Sequence, residues 1–439
     1  MARRVVEAET ARAAAGPGLS TARQLAAERT VLRLMHHPAI VEAQERLRCA
    51  LRAMPSAAML GAQQRLENGI QKWTAGILLR EIAADPATNA FLWIYDEVPH
   101  DWREFRFPGS GCCGGNPDQV YRHCFVDGVG RYEITGRLAQ CRPVHLSLEA
   151  FFGQPGTRLD RPRTGPDTSR QVSFITDTGL RVADDGSFCI QVGGSEPKGG
   201  GNYLALADGS IEVTVREVLS DWEQRPAQLV LRRLDEPRPA LPYSDDELAA
   251  RAAADVVDFV RFWVGAFDRW VGPFGVNTVA GPVPRDGGWG FLANLHYRLE
   301  PGEAILLSMA RQGAAYIGVH MTDPWTLVPD SRLYQTSLNP SQAAFSADSR
   351  LEVVVGPDDP GVVNWIDTVG MREGYLIPRW IGMPPGVRAD ELIQRFEIVD
   401  LARSDVPAGF AGGSITSDRR REQLERRAGQ YGKRFDSTA

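Results

Sequence analysis

The stretch VVNWIDTVGMREGYLIPRW, residues 362–380, decides the fold because strand-like runs flank a short turn within it. Residues 370–374 supply the turn signals, so residues 362–369 and 374–381 are predicted to form a β-hairpin. Apolar and polar side chains alternate along both predicted strands, as they do in a sheet that buries one face. The stretch therefore predicts a half-buried hairpin whose second face carries polar chemistry.

The predicted register sets Asn364 opposite Arg379 and Thr368 opposite Tyr375, with Asp367 in the same hairpin. Pro378 donates no ladder hydrogen bond, so its strand is an edge strand or leaves that position unpaired. Arg379 and Asn364 can orient an oxygen of a ligand, whereas a structural ion pair or a stack on tryptophan explains Arg379 equally well. The opposite face predicts a core: Val363, Trp365, Leu376 and Trp380.

Outside this stretch, strand signals recur at intervals of about 8–12 residues and are separated by Asp-Gly and other turn residues. No helical pattern separates them, which indicates antiparallel sandwiches or jelly rolls rather than a parallel sheet. We predict a mainly β protein with added helices, of the α+β class. Its two β-sandwich or jelly-roll-like halves are expected at residues 89–235 and 273–402.

Helical periodicity occupies the remaining regions of the chain. Apolar residues at helical spacing predict an N-terminal helical layer at residues 20–88. A proline-rich linker and a connecting helix are expected at residues 236–272, starting at the N-cap Ser244 and packing against both halves. Residues 1–19 are predicted to be disordered, and the tail at residues 403–439 to form a solvated helix that frays.

Composition excludes several classes of function. The 439 residues carry a net charge of -6 and are 43% hydrophobic, so no basic face for nucleic acid is expected. The sequence has no run of eighteen or more apolar residues, so no membrane span is predicted. The N-terminus also lacks the apolar region of a secretory signal. The six cysteines lack C-x-x-C spacing, which favours reduced thiols and a cytoplasmic location.

Histidines on two predicted neighbouring strands are the main catalytic candidates. His296 in FLANLHYRL and His320 in AAYIGVHM each lie on a polar face, and Tyr316 shares the face of His320. Imidazole titrates near neutral pH, so these three residues are predicted to transfer protons. Structural or solvent-exposed roles produce the same alternation, and two histidines without a carboxylate at fixed spacing are a weak metal signal. We predict no metal site.

A second polar face is expected in the first half of the chain, within NPDQVYRHCF. Tyr121 and His123 share one face of the predicted strand, and Asp118 lies in the turn before it. These residues are predicted to supply the other wall of a substrate site. A turn followed by an ordinary strand explains the same pattern.

Cofactor motifs are not evident. EPKGGGN, residues 196–202, is not a phosphate loop because its lysine precedes the glycines and strand signals follow. No G-x-S-x-G elbow occurs. The glycine-rich GSGCCGG, residues 109–115, allows close backbone approach but gives neither thiol a neighbour that would lower its pKa.

Four blocks in order resemble the bacterial family of unknown function 1214. They are NPDQVYRHCFVDG with RYEITG, ADDGSFCIQV with NYLALADGSIEVTVRE, YQTSLNPSQ, and DDPGVVNWIDTVGMREGYLIPRW. The resemblance covers residues 110–385 and implies β-rich, jelly-roll-like domains with added helices. It implies no catalytic residues.

The preferred hypothesis is a cytoplasmic enzyme that acts by acid–base chemistry on a small, largely apolar metabolite such as a terpenoid, steroid or aromatic compound. A lyase, isomerase or hydrolase reaction in a cleft between the halves would fit. The rival is a carbohydrate- or lipid-binding protein without turnover, and a homo-oligomer assembled through the N-terminal helices is a third hypothesis. The rival's stacking platform would consist of Trp263, Trp289, Trp325 and Trp365.

Overall fold

The structure is a computed structural model, and it describes most of the chain. The described residues are 19–102, 104–153, 156–157, 171–209, 211–236, 241–285 and 290–435. The predicted disorder of residues 1–19 lies outside this set except at Leu19, and so does Trp289.

Five α-helices occur within the described chain, and three of them form the N-terminal layer. They are α1 (Ala22–Leu34), α2 (Pro38–Arg52), α3 (Ala62–Ala84), α4 (Asp245–Trp270) and α5 (Ser417–Gly432). None of them is both long enough and apolar enough to cross a bilayer.

The first half of the chain builds two facing sheets and a small ribbon. Its strands are β1 (Leu92–Trp93), β2 (His100–Trp102), β3 (Phe105–Phe107), β4 (Gln119–Phe125), β5 (Tyr132–Arg137), β6 (His145–Phe151), β7 (Gln171–Thr176), β8 (Ser187–Val192), β9 (Asn202–Leu204), β10 (Glu212–Val218) and β11 (Gln228–Arg233). A five-stranded sheet has the order β1-β4-β10-β6-β7, a four-stranded sheet has the order β11-β5-β8-β9, and β2 pairs with β3.

The second half repeats the same arrangement of five and four strands. Its strands are β12 (Val279–Pro284), β13 (Gly290–Arg298), β14 (Glu303–Ala310), β15 (Tyr316–Thr322), β16 (Ser337–Leu338), β17 (Arg350–Gly356), β18 (Trp365–Asp367), β19 (Glu373–Ile381) and β20 (Ile393–Asp400). The sheet orders are β12-β13-β19-β15-β16 and β18-β17-β14-β20.

Alternation along the strands builds a separate core inside each sandwich. In the first half, Val213 and Val215 of β10 pack with Ile134 and Ile190 from the facing sheet. The second core has the same construction and includes Leu295, Leu307, Val353, Leu376 and Trp380. The predicted mainly β, α+β class is therefore confirmed.

The helices cover the outer faces of the two five-stranded sheets. One further core joins Trp73 of α3 and Phe259 of α4 to Tyr121 of the first half and Ile377 of the second. A capping box between Ser244 and Glu247 starts α4 where the sequence predicts it. As predicted, α4 packs against both halves.

The predicted hairpin of residues 362–381 is wrong. β18 pairs in parallel with β17, whereas β19 is the central strand of the other sheet, between β13 and β15. Residues 368–372 carry the chain from one sheet to the other, and alternation cannot reveal which partner a strand takes. The pairing of β19 with β13 runs from Leu376↔Leu295 to Arg379↔Leu292 without pairs at the two positions between, as expected around Pro378.

The tail forms the predicted helix, but this helix is docked rather than solvated. Arg427 and Tyr431 of α5, and Arg434 just beyond it, are buried. Arg427 donates hydrogen bonds to Ser331 O at 2.6 Å and Ser337 O at 2.9 Å in the second half. Tyr431 and Arg434 donate to Asp96 and to the Pro117 carbonyl in the first half, so α5 straps the two halves together.

Candidate functional site

A glycine-rich segment, residues 109–118, runs through the junction of the two sandwiches and the helices. Gly111 N donates to Lys72 O of α3 at 2.8 Å. A Cβ on Gly76 would lie 2.6 Å from Gly111 O, so the close approach of helix and segment requires glycine. Gly114 N donates to Thr326 O of the second half at 2.9 Å. The predicted close backbone approach of this segment is confirmed.

Three arginines converge beside this segment. Arg216 of β10 is the register partner of Tyr121 on β4, and both belong to the helix-facing side of the first sheet. Arg379 of β19 donates through Nη2 to Gly114 O at 2.8 Å. Burial, and then the charges of Arg379 and Arg216, lower the pKa of Arg285 to about 9. Arg216, Arg285 and Arg379 are called the arginine cluster below.

Glu149 of β6 supplies a carboxylate to this cluster. It forms an ion pair with Arg216 and accepts a hydrogen bond from Ser147 Oγ at 2.8 Å. Burial opposes its ionisation, but Arg216 and Ser147 together keep the pKa of Glu149 below its ordinary value. Arg379 is buried, forms no ion pair with a described residue, and has no hydrogen-bond partner at Nε.

Two adjacent cysteines, Cys112 and Cys113, lie in the same region. Cys112 and Cys113 retain accessible surface. Surrounding protein nevertheless raises the pKa of Cys112 well above its ordinary value and that of Cys113 to about 12. Half-buried residues whose thiols are surrounded by protein are expected to border a hollow. The two thiols, Tyr121 and the arginine cluster are called the junction cleft below.

His320 borders the cleft on β15. Its register partner is Ile377 of β19, one position from Pro378 and two from Arg379. Neither ring nitrogen forms a well-aligned hydrogen bond with a described residue. Burial and the charge of Arg379 hold the pKa of His320 well below its ordinary value, although the nearby Gly114 carbonyl favours the protonated ring. At neutral pH the ring is therefore a neutral imidazole.

Tyr121, Arg379 and His320 are the predicted site residues that the structure brings together. Tyr316 and Asp118 lie next to them, but their side chains are already engaged. The Tyr316 hydroxyl donates to Asp118 at 2.7 Å and accepts from Asn116 Nδ2 at 3.1 Å. Tyr316 and Asp118 therefore connect the halves, and the structure leaves neither of them open to a ligand.

His123 lies deeper on the same face as Tyr121. Its Nδ1 pairs with Glu212, which also lies 3.7 Å from Arg80. The Tyr95 ring meets the His123 ring edge-on at a centroid distance of 5.0 Å. This arrangement fixes His123 as part of a buried charge network behind the cleft.

His296 and Tyr375 lie on the face of the second sheet that carries His320, as alternation predicts, but they pair near the ends of β13 and β19. His296 Nε2 lies 2.9 Å from Glu373 Oε1, and Leu60 N donates to Glu373 Oε2 at 2.7 Å. Burial opposes the ionisation of Glu373, but these bonds lower its pKa. Tyr375 packs against Phe267 of α4 at 4.5 Å between ring centroids. This group anchors the helical layer.

Asn364 and Asp367 belong to the other sheet of the second half, so the structure separates them from the face of Arg379. Asn364 Nδ2 donates to Ala344 O at 2.6 Å and to Glu352 O at 2.8 Å. Asp367 Oδ1 accepts from Val369 N at 2.6 Å. Both side chains satisfy local backbone groups. Their predicted place beside Arg379 is a consequence of the wrong hairpin.

The predicted tryptophan platform is also dispersed. Trp325 is buried against α3, where its Nε1 donates to Ala62 O at 2.9 Å. Trp365 belongs to a different core cluster and donates to Gly356 O at 3.0 Å. Trp263 of α4 lies beside the cleft, because its carbonyl accepts a hydrogen bond from Cys113 Sγ at 3.2 Å.

Arg216, Arg285 and Glu149 are site residues that the sequence prediction missed. In EVTVREV, Arg216 looks like one residue on the wet side of an amphipathic strand. Alternation identifies a polar face but not whether water or a further layer of protein covers it. The charges on that face indicate a site only when the positions of the helices that cover it are known.

A cavity of about 320 Å³ lies elsewhere, at one end of the first sandwich. Its described lining includes Arg131, Tyr132 and Gly193, and none of the described lining residues is a histidine, a cysteine or an acid. Within the described ranges, no three His, Cys, Asp or Glu side chains are grouped to hold a metal ion.

Comparison with known proteins supports the fold. The chain is similar to an uncharacterized protein from Burkholderia cenocepacia of known crystal structure, with a TM-score of 0.65 and 22% identity over 85% of this chain and 100% of that one. The VPA0106 protein from Vibrio parahaemolyticus matches with a TM-score of 0.39 and 9% identity over 65% of this chain and 89% of that one. No family model and no curated protein matches.

Proposed function

We propose that the protein is an enzyme that acts by acid–base chemistry on a small, largely apolar molecule bound in the junction cleft. The observation that carries this proposal is His320, a buried imidazole beside the cleft whose two nitrogens have no well-aligned partner among the described residues. A buried polar group without a partner costs free energy of about 1–3 kcal/mol, which a substrate's hydrogen bond would recover.

The protonation states around the cleft define the chemistry available to it. His320 is neutral at physiological pH, so one ring nitrogen can donate to a substrate carbonyl and the other can accept a proton. Burial raises the pKa of Tyr121, so its phenol stays protonated; its oxygen accepts from Asn116 N at 3.2 Å, which leaves the hydroxyl proton to donate. Both thiols stay protonated and are poor nucleophiles. Proton transfer of a lyase, isomerase or hydrolase kind fits better than thiol chemistry.

Apolar side chains at the junction favour a terpenoid, steroid or aromatic substrate. A Cβ on Gly114 would lie 3.0 Å from the Ile377 side chain and 3.3 Å from the Phe267 ring, which places both beside the cleft. Trp263 lies next to Cys113. Pockets of this kind combine an apolar wall with a few polar groups that orient the ligand.

Untargeted mass spectrometry of a metabolite mixture incubated with the protein tests this proposal. We expect one mass to decrease as another increases, and the His320→Gln variant to slow this conversion about 100-fold or more. His36→Gln, at an exposed histidine, is the matched control and should convert at the original rate. Equal turnover by both variants would remove His320 from the mechanism.

Binding without turnover is the second candidate, and one observation favours it. Burial lowers the pKa of His320 and raises the pKa of Tyr121 and of both thiols. All four groups are therefore neutral, and none of them is strongly activated. A ligand recovered unchanged from the incubation, with affinity reduced by His320→Gln, would establish this alternative.

Cellular location, oligomeric state, family membership and metal content complete the proposal. Six cysteines without a disulfide support a cytoplasmic location. The N-terminal helices remain our proposed surface for a homo-oligomer, which light scattering would test. Membership of family 1214 also stays a proposal, and elemental analysis of the purified protein would test the prediction that it needs no metal.

A further inference from the structure

We infer that the ligand of the junction cleft is a small organic acid, and that the arginine cluster holds its anionic group. This inference rests on the proposed site but not on turnover. A carboxylate attached to an apolar body is the chemistry that the cleft fits best, with phosphate and sulfonate esters as the related anions that a test must separate.

Arg379 is a buried cation without a carboxylate partner among the described residues. Arg216 and Arg285 add positive charge nearby, and the carboxylate of Glu149 pairs with Arg216 rather than with Arg379. Arg379 is 8% exposed and forms no ion pair with a described residue. Proteins rarely bury a charge without a partner, because moving an ion from water into the protein interior costs roughly several kcal/mol even after the protein relaxes around it. A bound anion would supply the partner.

Other acids near the cleft do not balance the charge of Arg379. Burial, with the charge of Asp96, raises the pKa of Glu97 to about 8, so this carboxyl is mostly protonated at neutral pH. Tyr121 also stays neutral. Glu217 forms an ion pair with Arg122, and Glu212 forms one with His123.

The orientation of the Arg379 guanidinium also favours a carboxylate ligand. Its Nη2 is fixed by the Gly114 carbonyl at 2.8 Å, whereas Nε is buried without a hydrogen-bond partner. A guanidinium held in one orientation presents its remaining donors as a planar fork, and a carboxylate matches that fork with two parallel hydrogen bonds. His320 and Tyr121 would then lie beside the body of the same molecule.

Isothermal titration with matched probes tests the inference in the full-length protein. Benzoate, benzenesulfonate and phenyl phosphate are the anions, and benzamide is the neutral counterpart of benzoate. We expect benzoate to bind at least about 10-fold more tightly than benzamide, since a charge-assisted hydrogen bond contributes that much or more. Equal affinity for benzoate and benzamide, or no heat with any anion at millimolar concentration, would overturn the inference without any variant.

Variants then locate the site. Arg379→Met should weaken benzoate binding about 10–100-fold and leave benzamide unchanged, and Arg379→Lys should give an intermediate loss because it keeps the charge without the fork. Arg388→Met is the matched control, because Arg388 is an exposed arginine paired with Asp390. If Arg379→Met does not fold, the benzoate affinity of Arg379→Lys alone shows whether Arg379 binds the anion. Undiminished benzoate binding by the folded variants would mean that an adventitious site binds the anion.

The results separate this inference from the proposed function. Benzoate preference that depends on Arg379, together with no turnover of any metabolite, supports the anion site and contradicts the enzyme. Turnover that depends on His320 but acts on a neutral substrate, with no anion preference, supports the enzyme and contradicts the anion site.

Discussion

The phenol of Tyr316 donates a hydrogen bond to Oδ2 of Asp118 at 2.7 Å and thereby joins the two sandwiches. Asp118 Oδ1 accepts two more hydrogen bonds, from Trp222 Nε1 at 2.7 Å and from Asn339 Nδ2 at 2.9 Å. One buried carboxylate thus receives donors from both halves of the chain. The junction cleft lies beside this link, so its shape depends on the relative position of the two halves.

Loss of this link should destabilise the fold. Tyr316→Phe removes one donor to a buried carboxylate, and we expect the free energy of unfolding to fall by about 1.5–3 kcal/mol. Asp118→Ala should cost more, because it leaves three buried donors unsatisfied. Urea unfolding followed by circular dichroism and by tryptophan fluorescence measures both effects. Tyr334→Phe, at a more exposed tyrosine, is the control, and an equal effect of the two tyrosine variants would contradict the assigned role.

The C-terminal helix should contribute to stability through Arg427. Its guanidinium donates to two backbone carbonyls and lies 4.2 Å from the ring centroid of Trp222. Arg427→Met leaves those carbonyls without their donor, and we expect a loss of about 1.5–3 kcal/mol in unfolding free energy together with faster proteolysis of α5. Arg426→Met changes the exposed neighbouring residue and should change neither. Resistance of both variants to protease would show that α5 does not strap the halves.

Glu97 should make stability depend on pH. Its pKa in the folded protein is raised from 4.5 to about 8, chiefly by burial. Between these values the folded protein keeps a proton that the unfolded chain releases, so this contribution is fully present below pH 4.5 and is lost as the pH rises through about 8. Thermal melts of Glu97→Gln and wild type should diverge in favour of the variant from about pH 5 to about pH 8.5.

The control for this titration is Glu196→Gln, at an exposed glutamate. Its melting temperature should follow that of the wild type across the same range. Parallel curves for Glu97→Gln and wild type would contradict the raised pKa of Glu97.

Thiol reactivity should divide the cysteines into two groups. Cys49, Cys141 and Cys189 are exposed and should react rapidly with an aromatic disulfide reagent at neutral pH. Cys112 and Cys113 have accessible surface but a raised pKa, so they should react on the order of 100-fold more slowly, at a rate that increases with pH. Five thiols reacting in one fast phase would contradict the enclosed cleft.

The sequence predicts the layers of this fold well, because burial imposes a period on each strand and helix. Ser244 starts α4, and the alternation in FLANLHYRL puts Leu295 and Tyr297 in the core. The partner of a strand is not encoded in this way. Residues 362–381 satisfy the pattern of a hairpin, yet β18 and β19 belong to opposite sheets, because a turn of this composition also permits a crossing between layers.

The candidate site is only partly predictable for the same reason. Tyr121, His320 and Arg379 stand out because they interrupt apolar strands, and the structure gathers them. Arg216 and Glu149 were missed because a charged side chain on a strand face usually meets water. Helices that are distant in the sequence cover this face. The charged side chains are therefore buried, and buried charges indicate a candidate site.

Diffraction from wild-type crystals soaked in sodium bromide tests the central claim most directly, since the anomalous signal of bromide locates bound anions. We predict a bromide peak within hydrogen-bonding distance of the Arg379 guanidinium, near Arg216 and Arg285, that disappears when benzoate is added. Bromide found solely on the protein surface, with Arg379 paired to a side chain of its own chain, would contradict it.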